Sequence, residues 1–275
     1  LLPLIHHRVL RRCQILRCFQ LAGTLPAIIS KLLYGTKFVF NYGYDYAVFA
    51  HIEGKPLQAL GFKLLEKVIS SLATGIIVKN KNLKIPGFYL PNGVDVKMFK
   101  PKPKRFLKVP TVLYVGRLEP QKNLPVLLQA LAQVKKRLKI VFVGQGSQRQ
   151  KLLDQAHQLQ LNLSIRTPVS HSLLPAIYQS ADIFVLPSLI DGSPIVVLEA
   201  MACGLPIVTT DVSDIKAGIV VKPTVSGLAA GINRVLSHSQ LAHRLGASAR
   251  REAIRHYNQA TFIQTEIKFL QSCAR

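Results

Sequence analysis

Short apolar runs alternate along the chain with longer segments in which apolar residues recur every three or four positions. The short runs are rich in Val, Ile and Phe, which is typical of strands buried on both faces. The longer segments have the period of helices that pack on one side. This alternation predicts an α/β protein with parallel sheets. The predicted strands are 15–20, 37–42, 75–79, 88–90, 111–115, 139–143, 163–166, 183–186, 207–209 and 218–221.

Helical segments fall between these strands, and Gly or Pro marks most of their ends. The segment 100–110, KPKPKRFLKVP, is basic and punctuated by proline, which is typical of a linker. It predicts a first domain over 1–102 with about four strands and a second over 103–258 with about six. The predicted helices are 27–33, 46–72 with a break near 54–56, 124–134, one ending near 159, one starting at 171, 195–203, 226–236, 240–257 and 259–270.

The most informative stretch is 181–211, ADIFVLPSLIDGSPIVVLEAMACGLPIVTTD. A buried strand ends at Pro187, a polar turn follows, and a helix begins at about Pro194. Backbone N–H groups at such a helix start are free to bind an anion. Asp191 in the turn and Glu199, about two helical turns further on, place carboxylates on nearly the same face. Amides for phosphate and carboxylates for hydroxyls suit a sugar nucleotide.

This stretch resembles the E-x7-E signature of the family-4 retaining glycosyltransferases, which have the GT-B fold, with Asp191 in place of the first glutamate. The match includes the preceding Pro-Ser and the following EAMACGLPIV. The resemblance implies that Asp191 faces the hydroxyls of the donor sugar and that Glu199 faces those of the ribose. It also implies that the amides of Gly192 and Ser193, next to Pro194, face the sugar or phosphate. The alternative is an ordinary αβ turn with a capping aspartate.

Two basic residues follow the predicted strand 111–115. Arg117 comes directly after Gly116, and Lys122 precedes the next helix. In the family that the chain resembles, the equivalent Arg and Lys hold the donor diphosphate. The chemistry agrees, because a guanidinium and an ammonium neutralise charge that grows on the leaving nucleotide. The resemblance therefore implies that Arg117, Lys122 and Asp191 are catalytic. A solvated basic loop is the alternative.

Two further positions complete the predicted donor site. Gly144 opens a Gly-Gln-Gly turn after the strand 139–143; without the third glycine of a dinucleotide fingerprint, this predicts only a tight turn near the donor. Val169 lies in a loop where related enzymes contact the nucleobase. His171 follows, and a lone histidine of this kind is more often structural than catalytic.

The first domain offers a weaker set of cleft residues. Tyr42-Gly43-Tyr44-Asp45 ends the strand 37–42, where ligands bind in open parallel sheets. Related enzymes often have His-Gly-x-Asp here. A phenol with a pKa of about 10 is a poor base at neutral pH, so a structural role for Tyr42 is equally open. Asn92 lies in PNGVD-x3-F-x-P, which resembles the family's signature at the domain junction and would shape the cleft. A simple Asn-Gly turn is the alternative.

The charge balance limits the partners. The chain has 36 Lys and Arg against 13 Asp and Glu, a formal net charge of +23, which favours polyanions. The charges are spread along the chain without interleaved aromatics, which disfavours a specific nucleic-acid reader. An anionic membrane surface fits these basic patches better. Residues 1–12 place apolar residues opposite arginines on a helix, so they either pack on a sheet, the favoured interpretation, or lie on a bilayer.

No apolar run is long enough to span a bilayer, and no signal-peptide pattern opens the chain. The cysteines lack the spacing of metal ligands and fit reduced thiols of a cytosolic protein. They are Cys13, Cys18, Cys203 and Cys273. These features predict a cytoplasmic protein, and the basic patches leave open a peripheral location on the inner face of the cell membrane.

The resemblance covers essentially the whole chain, but the family's first elements and their glycine-rich loop have no counterpart. It implies an N-terminally truncated GT-B fold, with two Rossmann-like domains facing a cleft and residues 259–275 crossing back to the first domain. The implied function is transfer of a sugar, with retention, from a nucleoside-diphosphate-sugar to a glycan or lipid-linked acceptor in cell-envelope polysaccharide biosynthesis. No metal or other cofactor is expected. The alternatives are a non-catalytic nucleotide-binding remnant and a same-fold nucleotide-sugar epimerase or phosphorylase.

Overall fold

The computed structural model describes residues 5–102, 109–215 and 217–275. The chain forms two compact units: one extends to Asn92 and includes Ala260–Arg275, and the other comprises Gly93–Gln259. Each unit is built on a parallel sheet of its own.

The elements follow one another in an alternating α/β order. They are α1 (His7–Leu10), β1 (Ile15–Phe19), α2 (Gln20–Tyr34), β2 (Lys37–Tyr42), α3 (Tyr46–Ile52), α4 (Pro56–Leu72), β3 (Gly75–Val78), β4 (Phe88–Tyr89), β5 (Thr111–Val115), α5 (Leu124–Ala132), β6 (Lys139–Val143), α6 (Arg149–Gln158), β7 (Leu163–Arg166), α7 (Leu174–Gln179), β8 (Ile183–Leu186), α8 (Ile195–Ala202), β9 (Ile207–Thr210), β10 (Ile219–Val221), α9 (Val225–Ser237), α10 (Ser239–His256) and α11 (Gln259–Ala274). Short 3₁₀ turns cover Pro120–Lys122 and His171–Leu173.

The first unit has a four-stranded parallel sheet in the order β1-β2-β3-β4. Successive side chains of a strand point to opposite faces. Phe38 and Phe40 therefore pack on one face, with α2 and α4, while Val39 and Ile77 pack on the other, with α11. Because both faces are covered there, the two central strands, β2 and β3, are buried along most of their length.

The second unit has a six-stranded parallel sheet in the order β10-β9-β8-β5-β6-β7. Strands β6 and β7 lie in turn on one side of β5, and strands β8, β9 and β10 lie in turn on its other side. The order therefore reverses between β5 and β8, where Val112 pairs with Ile183. Open parallel sheets bind ligands beyond the carboxyl ends of the strands at such a reversal. A ligand-binding site is therefore expected at the loops after β5 and β8.

The predicted alternation is confirmed, and several strands have the predicted bounds. These are β2, β5, β6, β7 and β8. The long helical segment predicted over 46–72 is two helices, α3 and α4, separated at the predicted break. No helix within the described residues is both long enough and apolar enough to cross a membrane.

Two helices near the start differ from the prediction. Helix α2 begins at Gln20 rather than at residue 27, so Pro26, taken as a start signal, lies inside it. Leu21 and Thr24 are buried, and their burial outweighs the hydrogen bond that Pro26 removes. Helix α1 covers His7–Leu10 and has no buried residue, so it gives no support to the favoured interpretation that it packs on a sheet. Residues 1–4 of that predicted helix lie outside the described residues.

The first stretch of the first compact unit ends at Asn92, ten residues before the predicted boundary at 102. Val94, Val96 and Phe99 are buried in its core. The guanidinium of Arg250 donates to the backbone carbonyls of Val96 and Phe99 at 2.9 and 2.8 Å, which fixes this segment against α10. The central part of the predicted linker, 103–108, lies outside the described residues.

Candidate functional site

The loop after β5 is held from below by a buried tyrosine. Tyr114 is fully buried, and its hydroxyl donates to the backbone carbonyl of Arg117 at 2.6 Å. Burial raises the pKa of this phenol well above its ordinary value, so it remains a donor. At Gly116 a Cβ would lie 2.7 Å from the same hydroxyl. The loop therefore needs glycine at this position, and it presents the exposed Arg117 side chain at the carboxyl end of β5.

The loop after β6 packs directly on the loop after β5. Gly144 has φ +157°, and a Cβ there would lie only 1.9 Å from the carbonyl oxygen of Gly116. The Leu118 amide donates to the Gln145 carbonyl at 2.9 Å. The predicted tight turn at Gly144 is thus a close approach of two backbones, which only glycine permits.

Lys122 is fixed by a short turn and by two neighbouring loops. It ends the 3₁₀ turn Pro120–Lys122, and Asn123 follows with φ +56°. The Gln121 carbonyl accepts from the Leu189 amide at 2.8 Å, and the Asn123 side chain donates to the Pro223 carbonyl at 3.2 Å. These bonds connect the loop after β5 to the loops after β8 and β10, so the position of Lys122 is set by the backbone on both sides.

An ion pair joins the two loops at the reversal of strand order. The Lys122 ammonium lies 2.6 Å from Asp191 Oδ2, and the two side chains are only 12% and 14% exposed. The other oxygen, Oδ1, accepts from the Gly192 amide at 3.0 Å. The Gly192 amide, predicted to be free for an anion, is therefore a donor to Asp191. The structure brings together the predicted cation and the predicted acceptor of sugar hydroxyls.

Glu199 belongs to a different polar cluster, on α8. Its carboxylate is buried, with Oε2 accepting from the Tyr178 hydroxyl at 2.7 Å and Oε1 lying 3.2 Å from His171 Nε2. Burial raises the pKa of Glu199, and the hydrogen bonds from Tyr178 and His171 offset part of the rise. The two carboxylates therefore have separate partners. Asp191 pairs with the largely buried Lys122 ammonium, whereas Glu199 contacts the Tyr178 phenol and the exposed His171 imidazole.

Glu199→Gln is expected to change the pH dependence of stability. Because the folded pKa of Glu199 is raised, the folded state keeps a proton that an unfolded glutamate, with a pKa of about 4.3, has lost. The wild-type free energy of unfolding therefore contains a contribution that falls as pH rises from about 4 through the raised folded pKa and is constant above it. The variant lacks this contribution.

Urea unfolding of both proteins across this pH interval measures the difference. Glu252→Gln, at an exposed glutamate of α10, is the matched control and should leave the pH dependence unchanged. A difference between wild type and Glu199→Gln that is the same at every pH would contradict the assignment.

The other predicted donor residues lie at the same edge of the sheet. Pro194 is buried and precedes α8 as its N-cap, with Ser193 half-buried before it. Val169 is half-buried against the core in the loop after β7. These positions follow the ends of β7 and β8.

The predicted cleft residues of the first unit are engaged within that unit. Tyr42 is buried, and its hydroxyl donates to Glu66 Oε1 at 2.8 Å. Burial, together with the Glu66 carboxylate, raises the pKa of Tyr42. Asp45 caps α3, because its Oδ1 accepts from the Val48 amide at 2.9 Å. These contacts favour the structural alternative for Tyr42. Asn92 is half-buried and is the last residue of the first stretch of that unit.

A family model described as glycosyl transferases group 1 matches residues 95–252, which is more than half of the chain. The chain belongs to this family. The match contains helix α8 and the loops after β5, β6 and β8, and hence Arg117, Lys122, Asp191 and Glu199.

Solved structures show that this group 1 chain has the GT-B fold. Sucrose-phosphate synthase from Thermosynechococcus elongatus is 22% identical, and the alignment covers 99% of this chain and 76% of that chain with a TM-score of 0.86. The Anabaena protein HepE, in complex with UDP and glucose, is 17% identical, and the alignment covers 97% and 81% of the two chains with a TM-score of 0.83.

A curated relative of this group 1 chain is a GDP-mannose-dependent α-(1-6)-phosphatidylinositol monomannoside mannosyltransferase from Mycobacterium tuberculosis. The two sequences are 32% identical over an alignment of 112 positions, which covers 36% of this chain. The matched segment spans only 29% of the length of that enzyme.

Two supporting side chains were missed from the sequence. Tyr114 reads as one more apolar residue of β5, although it holds the Arg117 loop. Tyr178 lies 21 residues from Glu199, and no short-range pattern connects them. His171 is a lone histidine in the sequence, and its contact with Glu199 depends on the fold. The sequence signal for such a role is a tyrosine within an apolar strand or helix next to a predicted site, because a buried tyrosine hydroxyl needs a hydrogen-bond partner.

The described residues contain no cluster of three or more His, Cys, Asp or Glu side chains that could hold a metal ion. The cysteines are free thiols, and Cys18 and Cys203 are buried. Burial raises the pKa of the Cys18 thiol to about 11, which makes it unreactive at neutral pH.

Proposed function

We propose that this chain is a glycosyltransferase that moves a sugar from a nucleoside-diphosphate-sugar to a hydroxyl of a glycan or lipid-linked acceptor, with retention of anomeric configuration. The observation that carries the proposal is the Lys122–Asp191 ion pair at the reversal of strand order, beside the exposed Arg117. The family to which the chain belongs supports the same conclusion.

Arg117 and Lys122 would hold the donor diphosphate. A guanidinium offers a planar fork of donors and an ammonium a point charge, and both stabilise negative charge on the departing diphosphate as the anomeric carbon becomes cationic. Lys122 is already desolvated and fixed by its neighbours, so it needs little reorganisation when the charge develops. Because these two cations match a diphosphate, we propose that no metal or other cofactor takes part.

Asp191 would accept hydrogen bonds from hydroxyls of the transferred sugar. Its carboxylate lies beside the ammonium that would contact the diphosphate, which is where the sugar is attached. Glu199 would accept from the ribose hydroxyls at Oε1, the oxygen that now faces the exposed His171. The buried Tyr178 would keep its bond to Oε2 and hold the carboxylate in place.

The donor and acceptor classes rest on the relatives. HepE was solved with UDP-glucose, and TarM from S. aureus was solved with UDP and α-GlcNAc-glycerol. The mycobacterial relative is named for GDP-mannose and a phosphatidylinositol mannoside. We propose a UDP- or GDP-sugar donor, a saccharide or lipid-linked acceptor, and a cytoplasmic location in cell-envelope polysaccharide synthesis.

Donor turnover tests this proposal. Incubation with UDP-, GDP- and ADP-hexoses should release the nucleoside diphosphate from at least one of them, and NMR of the first-formed sugar product should show the anomeric configuration of the donor. An inverted product would overturn retention. A donor that binds but is never turned over would favour a nucleotide-binding remnant, and interconversion of its sugar without release would favour an epimerase.

A further inference from the structure

Helix α4 is apolar on its outer face as well as on its inner face. Ala59 and Ile69 are buried against the unit. Leu57, Leu60, Leu64 and Val68 recur at three- and four-residue spacing, so they form a single stripe on the other side of the helix. All four are exposed, Leu57 to 85%. A helix at the surface of a globular domain normally has charged or polar residues on this side.

Helix α2 has the same property. Ala27 and Ser30 are buried, whereas the opposite side is formed by exposed apolar residues, with Leu32 at 71%. The exposed residues are Leu25, Ile29, Leu32 and Leu33. Helices α2 and α4 pack against each other on one face of the sheet. Together these eight side chains, the α2/α4 face, concentrate apolar surface of the kind that marks an interaction site.

Basic groups border the α2/α4 face. The sequence up to residue 44 contains six Lys and Arg and no Asp or Glu. Helix α1 lies at the C-terminal end of α2, with the Arg11 guanidinium 5.5 Å from the centre of the Tyr34 ring. On α4, the exposed Lys63 and Lys67 precede Leu64 and Val68 and lie at one edge of the stripe. Such side chains can extend their charge away from an apolar surface that they border.

We infer that the α2/α4 face docks on an anionic lipid bilayer. An apolar surface bordered by Arg and Lys matches the two layers of such a bilayer, its acyl boundary and its negative headgroups. A second copy of the chain fits less well, because a symmetric dimer would bring this basic face against itself and place like charges together.

Co-sedimentation with vesicles tests the apolar part. The whole chain should partition onto vesicles of phosphatidylcholine with phosphatidylglycerol far more than onto phosphatidylcholine alone. Leu60→Gln combined with Leu64→Gln should lower the partition coefficient about tenfold or more. Leu173→Gln is the matched control, since Leu173 and Leu60 are both 58% exposed but Leu173 lies on the second unit. Circular dichroism should show that all variants are folded.

A pair of triple variants tests the charged part. Arg8→Gln, Arg11→Gln and Arg12→Gln together should lower binding on the order of a hundredfold at low salt. Arg244→Gln, Arg251→Gln and Arg255→Gln remove the same charge from exposed positions on α10 and should have a much smaller effect. Equal losses would show that net charge alone drives binding and would overturn the assignment of this face.

Two further outcomes would also overturn it. One is a wild-type chain that stays in the supernatant with anionic vesicles. The other is a wild-type dimer in analytical ultracentrifugation that becomes monomeric in the Leu60→Gln, Leu64→Gln variant, since the α2/α4 face would then be occupied by a second copy.

Discussion

Lys122→Ala is expected to weaken the binding of UDP or GDP about a hundredfold. The Lys122 ammonium is largely buried and lies 2.6 Å from Asp191. Its removal leaves that carboxylate without a cation, beside the place where the diphosphate would bind. Truncating one partner of a buried charge pair costs about 2–5 kcal/mol of binding free energy, and the partial exposure of Lys122 places the effect near the lower end. Isothermal titration calorimetry measures the affinity directly.

Two further variants separate this effect from a general loss of positive charge. Lys151→Ala, at an exposed lysine of α6, should leave the affinity within about twofold of wild type. Combining Lys122→Ala with Asp191→Asn should recover part of the loss, because the carboxylate that repels the diphosphate is gone. An affinity in Lys122→Ala equal to that in Lys151→Ala would show that Lys122 does not contact the nucleotide.

Gly144→Ala is expected to lower the free energy of unfolding by about 3 kcal/mol. The added Cβ would lie 1.9 Å from the carbonyl oxygen of Gly116, and the neighbouring atoms are backbone that cannot rotate away. The backbone at φ +157° adds strain for any residue with a side chain. Relief of the clash has to move the loop after β5, so the substitution should weaken nucleotide binding as well. Urea unfolding and calorimetry measure the two effects.

Gly61→Ala provides the control for this substitution. Gly61 lies within α4, where a Cβ would meet nothing within 4 Å, so alanine should stabilise the helix by up to about 1 kcal/mol. A Gly144→Ala protein as stable as wild type would mean that the two loops are further apart than the structure places them.

Most strands could be predicted from the sequence because each is a short apolar run that ends at a turn signal. The runs at β5 and β8 are buried along their length, and the run at β6 is buried after its first residue, so periodicity and burial give the same bounds. The start of α2 could not be predicted in this way. There a local signal, Pro26, conflicts with the burial of Leu21 and Thr24, and burial depends on residues distant in sequence.

In the candidate site, the positions of the residues could be predicted from the sequence but their contacts could not. Arg117, Lys122 and Asp191 follow strand ends, so their place at one sheet edge follows from the order of the strands. Their pairing does not, because the Lys122–Asp191 contact depends on turn geometry across 69 residues. Tyr42 shows the reverse case: its position beyond β2 suggested a ligand contact, whereas its hydroxyl is bonded to Glu66 on α4.

Backbone NMR of the uniformly labelled protein, with UDP, GDP and ADP added in turn, tests whether a nucleotide binds at the reversal of strand order in the second sheet. At least one nucleotide should shift the amide signals of Gly116, Gly144 and Gly192, which follow the carboxyl ends of β5, β6 and β8. Absence of a shift with all three nucleotides, or shifts confined to residues away from these strand ends, would contradict it.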